Sequence, residues 1–244
     1  MLRRTTRLLV SFVMVMAGAV IGVGATSGTA QAASCYTWNR TLSPGSSGAD
    51  VTQLQIRVAG WVTSGERLSY DGQYGARTAA AVKKFQAAYG LAADGVAGPK
   101  TFAKIYALQD ADCTPIHFTY GELNTCNSTW AGGAVPAATA KANALKTLWK
   151  LEAMRHAMGD VPLRISSGFR SYACNKAVGG ASNSRHLYGD AADLVGSPSF
   201  CRLAQQSRTH GFSEILGPGY PGHNDHTHVA LDPSPYWSAP TCGI

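Results

Sequence analysis

The 244-residue chain carries 21 lysines and arginines against 14 acids, a formal charge of +7. Three of the bases, Arg3, Arg4 and Arg7, precede an apolar run from Leu8 to Val23 and the small-x-small site Ala30-Gln31-Ala32, the order of a signal peptide. Cleavage after Ala32 leaves roughly 212 residues, room for one large domain or two modest ones, and a charge near +4. That charge suits an anionic surface and, with no basic stripe interleaved with aromatics, is too weak for nucleic acid.

The apolar run is short and holds Gly18, Gly22 and Gly24, which argues against a membrane anchor. No Leu or Val stands three residues before Cys35, which argues against lipid attachment there. The expectation is a secreted protein with no membrane partner after cleavage. Its six cysteines are Cys35, Cys113, Cys126, Cys174, Cys201 and Cys242. An even count in an exported chain points to three disulfides among fifteen possible pairings. No Cys-x-x-Cys occurs, so a cysteine zinc knuckle is not expected.

The first predicted element is a helix opened by Asp50 as N-cap, with Gln53 three residues on and Val51, Leu54 and Val58 on one face. An internal repeat follows. Asp71-Gly72-Gln73-Tyr74-Gly75-Ala76-Arg77-Thr78 is matched by Asp94-Gly95-Val96-Ala97-Gly98-Pro99-Lys100-Thr101. Each Asp-Gly marks a turn, and each Thr opens a helical pattern. One helix carries Ala81, Val82, Phe85 and Tyr89; the other carries Phe102, Ile105 and Leu108. The expectation is a small three-helix bundle over 33–113. With Leu54-Gln55, Val82-x-x-Phe85-Gln86 and the two Asp-Gly-x-x-Gly-x-x-Thr units, this segment resembles the peptidoglycan-binding domain appended to many cell-wall hydrolases. The resemblance implies peptidoglycan as partner. Tyr70, Tyr74 and the loop around Gly72 are the candidates for glycan contact.

A polar, irregular linker from Asp110 to about Thr119 leads to a second domain over 114–244. Pro136 to Met158 reads as one long helix with Leu145, Leu148 and Trp149 inward, stopped by Gly159. Val161, Leu163 and Ile165 alternate as a strand, and Asp193 to Val195 suits another. Pro198 to His210 suits a helix, and Phe212–Leu216 and His226–Leu231 suit further strands. Helices and strands without a regular βαβ rhythm indicate an α+β domain, with helices packed on a mainly antiparallel sheet.

The chemistry concentrates in Ser184-Arg185-His186-Leu187-Tyr188-Gly189-Asp190-Ala191-Ala192-Asp193 and in Asp225-His226-Thr227-His228. Two histidines and a carboxylate are a common catalytic zinc set, because three protein ligands leave the fourth position open. Spacing alone permits His226 or His228 as the last ligand, since alternate strand residues share a face. The complete Ser-x-His-x-x-Gly-x-Ala-x-Asp motif, Ser167-Gly168-Phe169-Arg170-Ser171 upstream and Asp225-x-x-His228 downstream resemble the peptidase family that contains the bacterial zinc D-alanyl-D-alanine carboxypeptidases. Over essentially the whole mature chain, the resemblance is to the secreted actinobacterial members of that family.

The resemblance implies one zinc per chain on His186, Asp193 and His228. It implies Asp225 as general base and Arg170 as the group that holds substrate or the oxyanion. His223 is the third catalytic candidate, although His226 crowds the same segment and either could assist the tetrahedral intermediate. His117, His156 and His210 lie outside every motif and are expected to be structural.

The implied reaction is removal of terminal D-alanine from wall stem peptides, with possible cleavage of D-alanyl cross-links, by a monomer. An endopeptidase of the same family that cuts L-alanyl-D-glutamate would share the ligands, and a non-catalytic wall-binding protein with a structural zinc is a third reading. The resemblance also agrees with disulfide pairing in chain order, the simplest of the fifteen: Cys35–Cys113, Cys126–Cys174 and Cys201–Cys242. The bundle is then expected to act as a separable tether, dispensable for a small soluble peptide.

Overall fold

The computed structural model describes residues 35–126 and 129–244, so the signal-peptide expectation lies outside the described residues. The repeat seen in the sequence is a repeat of structure. Helices α1 (Ala49–Val58) and α2 (Ala76–Ala88) are each followed by an Asp-Gly loop, and α3 (Pro99–Ala107) closes the bundle. A glutamine buried on each helix clasps the next loop. Gln55 Nε2 donates to Asp71 Oδ1 at 2.9 Å, to the Gln73 carbonyl and to Thr78 Oγ1, while Gly72 N donates back to its Oε1. Gln86 repeats this pattern with Asp94, the Val96 carbonyl, Thr101 and Gly95 N. Gly72 and Gly95 have φ of +70° and +75°, which glycine adopts without steric cost.

The loop threonines therefore sit inside the first helical turns, tied to glutamine, and do not open the helices. Asp50 likewise does not cap α1. Gly48 holds that position, and Asp50 pairs with Arg40 at 2.6 Å. Tyr74 is corrected as a glycan-contact candidate: it is 2% exposed, and its hydroxyl donates to the Gly95 carbonyl inside the bundle core.

Helix α4 (Ala137–Ala157) runs under both halves of the chain. Leu148, Leu151 and Met154 pack into a core with Phe169, Leu194, Leu203, Phe212 and Val229. Trp149 and Ala153 pack into the bundle core beside Leu54, Val58 and Phe85. The expected linker is an ordered junction. Asp110 N donates to the Thr114 carbonyl, Ile116 N to the Leu108 carbonyl, and Trp149 Nε1 to the Cys113 carbonyl at 3.1 Å. Lys150 Nζ bridges the halves, donating to the carbonyls of Gly211 at 2.7 Å and Ala59 at 3.3 Å.

Five strands form one sheet: β1 (Arg164–Ser167), β2 (Ala191–Val195), β3 (Glu214–Leu216), β4 (Thr227–Ala230) and β5 (Tyr236–Ser238). Their order is β1-β2-β4-β3-β5, antiparallel except for the parallel β3–β5 pair. Helix α5 (Tyr172–Ala177) follows β1, and α6 (Phe200–Thr209) packs on the sheet. The first strand begins later than the alternation of Val161, Leu163 and Ile165 suggests. Leu163 is buried in the core ahead of the ladder, which starts at Arg164 opposite Val195. Bridges Cys35–Cys113, Cys126–Cys174 and Cys201–Cys242 are all present. The first ties the two ends of the bundle. The third ties α6 to the C-terminus.

Candidate metal centre

Strand pairing brings the motif residues together. Asp193 of β2 lies opposite His228 of β4 and, on its other side, opposite Ser167 of β1. His186 enters from the 3-10 turn Arg185–Tyr188 just before β2. Its Nδ1–H donates to the Gly168 carbonyl at 2.5 Å, which turns the Nε2 lone pair toward the sheet. Gly168 is itself held against the Leu123 backbone, since a Cβ there would lie 2.4 Å from Leu123 Cα.

His186 Nε2, Asp193 Oδ1 and His228 Nδ1 form a triangle with sides of 3.1, 2.9 and 3.1 Å. Three electron-rich atoms facing one another with little water around them need a cation or shared protons to offset their repulsion. All three residues are buried, and together they could hold a metal ion. Bond lengths of 2.0–2.2 Å in a tetrahedral site set ligand atoms roughly 3.3 Å apart, so the donor set fits zinc with slight spreading.

Burial alone would raise the Asp193 carboxyl, but the facing imidazoles of His186 and His228 outweigh it and hold it far below the usual carboxylate range. Burial lowers His186, against the opposing pull of Asp193. For His228, burial is outweighed by the carboxylates of Asp193 and Glu214, which raise it to about 9 in the metal-free chain.

The triangle opens on a cleft of about 670 Å³ that is also lined by Arg170, Glu214, His223 and His226. Arg170 Nη2 sits on the second oxygen of Asp193 at 2.7 Å, and its Nε and Nη2 reach Ser167 Oγ. The guanidinium thus orients a ligand as well as facing the cleft. His223 has its Nδ1–H on the Pro221 carbonyl at 3.0 Å, and burial lowers its pKa. His226, one residue ahead of β4, turns Nε2 to within 3.7 Å of Asp193 Oδ1, farther than the 2.9 Å of His228 Nδ1.

Asp225 is the candidate that the structure does not bring into the cleft. Its side chain is 89% exposed, and its carboxylate accepts from His226 Nδ1 at 2.8 Å. That hydrogen bond lowers its pKa. Its link to the metal triangle runs through His226.

Glu214 is a side chain of this site that the sequence did not single out. Its Oε1 lies 2.9 Å from His228 Nε2, the nitrogen opposite the one in the triangle. A carboxylate behind a ligating histidine fixes its tautomer and ring orientation. Glu214 and Leu216 share a strand face, and Leu216 pairs with His228 across the ladder, so Glu214 becomes visible only once β3 is paired with β4. The three histidines outside the motifs are structural in position. His117 pairs with Glu152 at 2.9 Å, His156 stacks on Tyr89, and His210 packs against Trp61.

Known proteins resemble this chain at two scales. A Peptidase M15 family model matches residues 116–230, and a peptidoglycan binding domain model matches residues 47–105. A zinc D-Ala-D-Ala carboxypeptidase of Streptomyces albus G is 66% identical over 229 residues, which are 93% of this chain and 88% of that protein. A Bacillus licheniformis protein named as a probable N-acetylmuramoyl-L-alanine amidase is 46% identical over 65 residues, 25% of this chain and 18% of its own length. With that first relative matched over nearly its full length, and with the metal triangle inside the matched peptidase segment, the chain belongs to the M15 family of zinc peptidases.

Proposed function

We propose that this chain is an exported zinc DD-carboxypeptidase that hydrolyses the D-alanyl-D-alanine bond of peptidoglycan stem peptides. The observation that carries the reading is the buried His186–Asp193–His228 triangle at the floor of an open cleft, in a chain 66% identical to a zinc D-Ala-D-Ala carboxypeptidase. These three residues would hold zinc, which would supply Lewis acidity to polarise the scissile carbonyl and to acidify water. His186 and His228 would coordinate it as neutral imidazoles, positioned by the Gly168 carbonyl and by Glu214.

Asp225 and His226 act together as proton acceptor. The carboxylate holds the proton on Nδ1 and leaves Nε2 as a base facing the cleft, able to pass a proton to the leaving amine. His223 is also neutral with Nδ1–H committed, so it offers the substrate an acceptor and not a donor. Arg170 steadies Asp193 and presents positive charge to the substrate carboxylate or the oxyanion. The helical bundle holds the enzyme on peptidoglycan, and the chain works at the wall as a monomer.

Release of free D-alanine from a synthetic pentapeptide ending in D-Ala-D-Ala tests this reading. Activity is expected to vanish on chelation and to return with about one zinc per chain. Cleavage at L-alanyl-D-glutamate instead would move the enzyme to the endopeptidase branch. Binding to peptidoglycan with no cleavage would make it a wall-binding protein.

A further inference from the structure

A second cavity, of about 330 Å³, lies where the bundle meets the sheet domain. Its wall includes Arg67, Ser69 and Arg77 from one side and Lys150, Gly211 and Ser213 from the other. No carboxylate lines it. Among the described residues, no ion pair joins Arg67, Arg77 or Lys150 to an acid. Acids close by in the fold are already engaged: Asp71 by Gln55 and its own loop, Asp190 by Arg185, and Asp232, whose carbonyl receives Arg67, by Ser234 N and Arg185.

Lys150 is the most telling of the three cations. It is 2% exposed, and its ammonium uses two of three protons on the carbonyls of Gly211 and Ala59. Burial, and then the nearby Arg67, push it down to about 7, as expected for a buried cation short of a counter-charge. Arg67 spends Nη1 on the carbonyls of Asp232 and Pro233, which anchors the guanidinium at the cavity wall. A buried charge is costly without a partner, and two guanidinium forks match planar or tetrahedral oxyanions.

We propose that this cavity is a second ligand site, separate from the metal cleft, that takes an oxyanion, a carboxylate or a phosphate group, between Arg67, Arg77 and Lys150. Because residues of both halves build it, an occupant would also clamp the bundle onto the sheet domain.

The test is an amide NMR titration of the zinc-loaded full chain with inorganic phosphate and, separately, with acetate at constant ionic strength. Saturable shifts are expected at Ser69, Gly211 and Ser213, weakened at least roughly tenfold in Arg67→Gln/Arg77→Gln, as for loss of charge-assisted hydrogen bonds. Both variants are expected to keep zinc content and peptidase activity. Arg77→Gln alone, at an exposed side chain, keeps the test decisive if the double variant fails to fold. Stronger binding of phosphate assigns a phosphate ester as the natural group, and stronger binding of acetate assigns a peptide carboxylate. No saturable shift, shifts confined to residues around His186 and His228, or shifts undiminished in the variants would overturn the proposal.

Discussion

Replacing Glu214 probes the metal centre without touching a ligand. Its single 2.9 Å contact with His228 Nε2 holds the ring so that Nδ1 faces Asp193 and His186. Removing such a carboxylate typically costs 10–100-fold in metal affinity, about 1.4 to 2.7 kcal/mol. Glu214→Ala is expected to fall in that range. Glu214→Gln keeps an oxygen that can accept from Nε2–H and loses only the charge, so its loss is expected to stay within about tenfold. Competition with a chromophoric chelator reads both constants directly. The pH dependence sharpens the test. His228 is raised to about 9 in the metal-free chain, so below that pH zinc must displace a proton, and affinity climbs as pH rises toward 9. Without the Glu214 carboxylate the imidazole loses one cause of that elevation, and the climb flattens at lower pH. Wild-type affinity and slope in Glu214→Ala, or a larger loss in the Gln variant than in Ala, would refute the reasoning.

Three further outcomes are expected. His226→Ala keeps zinc, His228→Ala does not, and Asp225→Asn keeps zinc while losing roughly 10²-fold in turnover; metal analysis beside the D-alanine assay separates them, and loss of zinc in Asp225→Asn would contradict its place behind His226. Lys150 has its pKa depressed from 10.5 to about 7, so the folded chain binds fewer protons than the unfolded chain between those values, and stability rises with pH across that window. In Lys150→Met that rise, on the order of 1 kcal/mol per pH unit, is expected to disappear from denaturation midpoints compared at pH 7 and 9.5. Deleting residues 33–112 uncovers Trp149 and Ala153, both 1% exposed in the intact chain. The remainder is expected to lose about 3 kcal/mol of stability, read by thermal unfolding, and near-intact stability would contradict the packing role of that seam.

The metal triangle was legible because its three residues fall in two short motifs, although spacing left His226 and His228 both open and the family resemblance chose His228. The Asp-Gly repeat was equally plain. What the sequence concealed depends on pairing and side-chain direction. Glu214 sits in an ordinary apolar strand until β3 lies beside β4. Asp225 reads as a base at the cleft, yet its carboxylate is exposed and bonded to the ring of His226. Tyr74 looks like a surface aromatic in a polar loop, while its ring fills the bundle. The face of α4 that carries Trp149 gives no sign in sequence of which core it enters.

Gly60 shows what that double use of α4 demands. A Cβ at this position would lie 2.5 Å from Ala153 Cβ and 3.0 Å from Lys150 Cα, so the chain after α1 rests directly on the helix backbone. Such contact makes the two halves poor candidates for recombination. A wall-binding module grafted from another enzyme would need a side-chain-free residue at this point and a hollow for Trp149. Shuffling at the 113/114 junction would therefore succeed only where the incoming module brings its half of the seam.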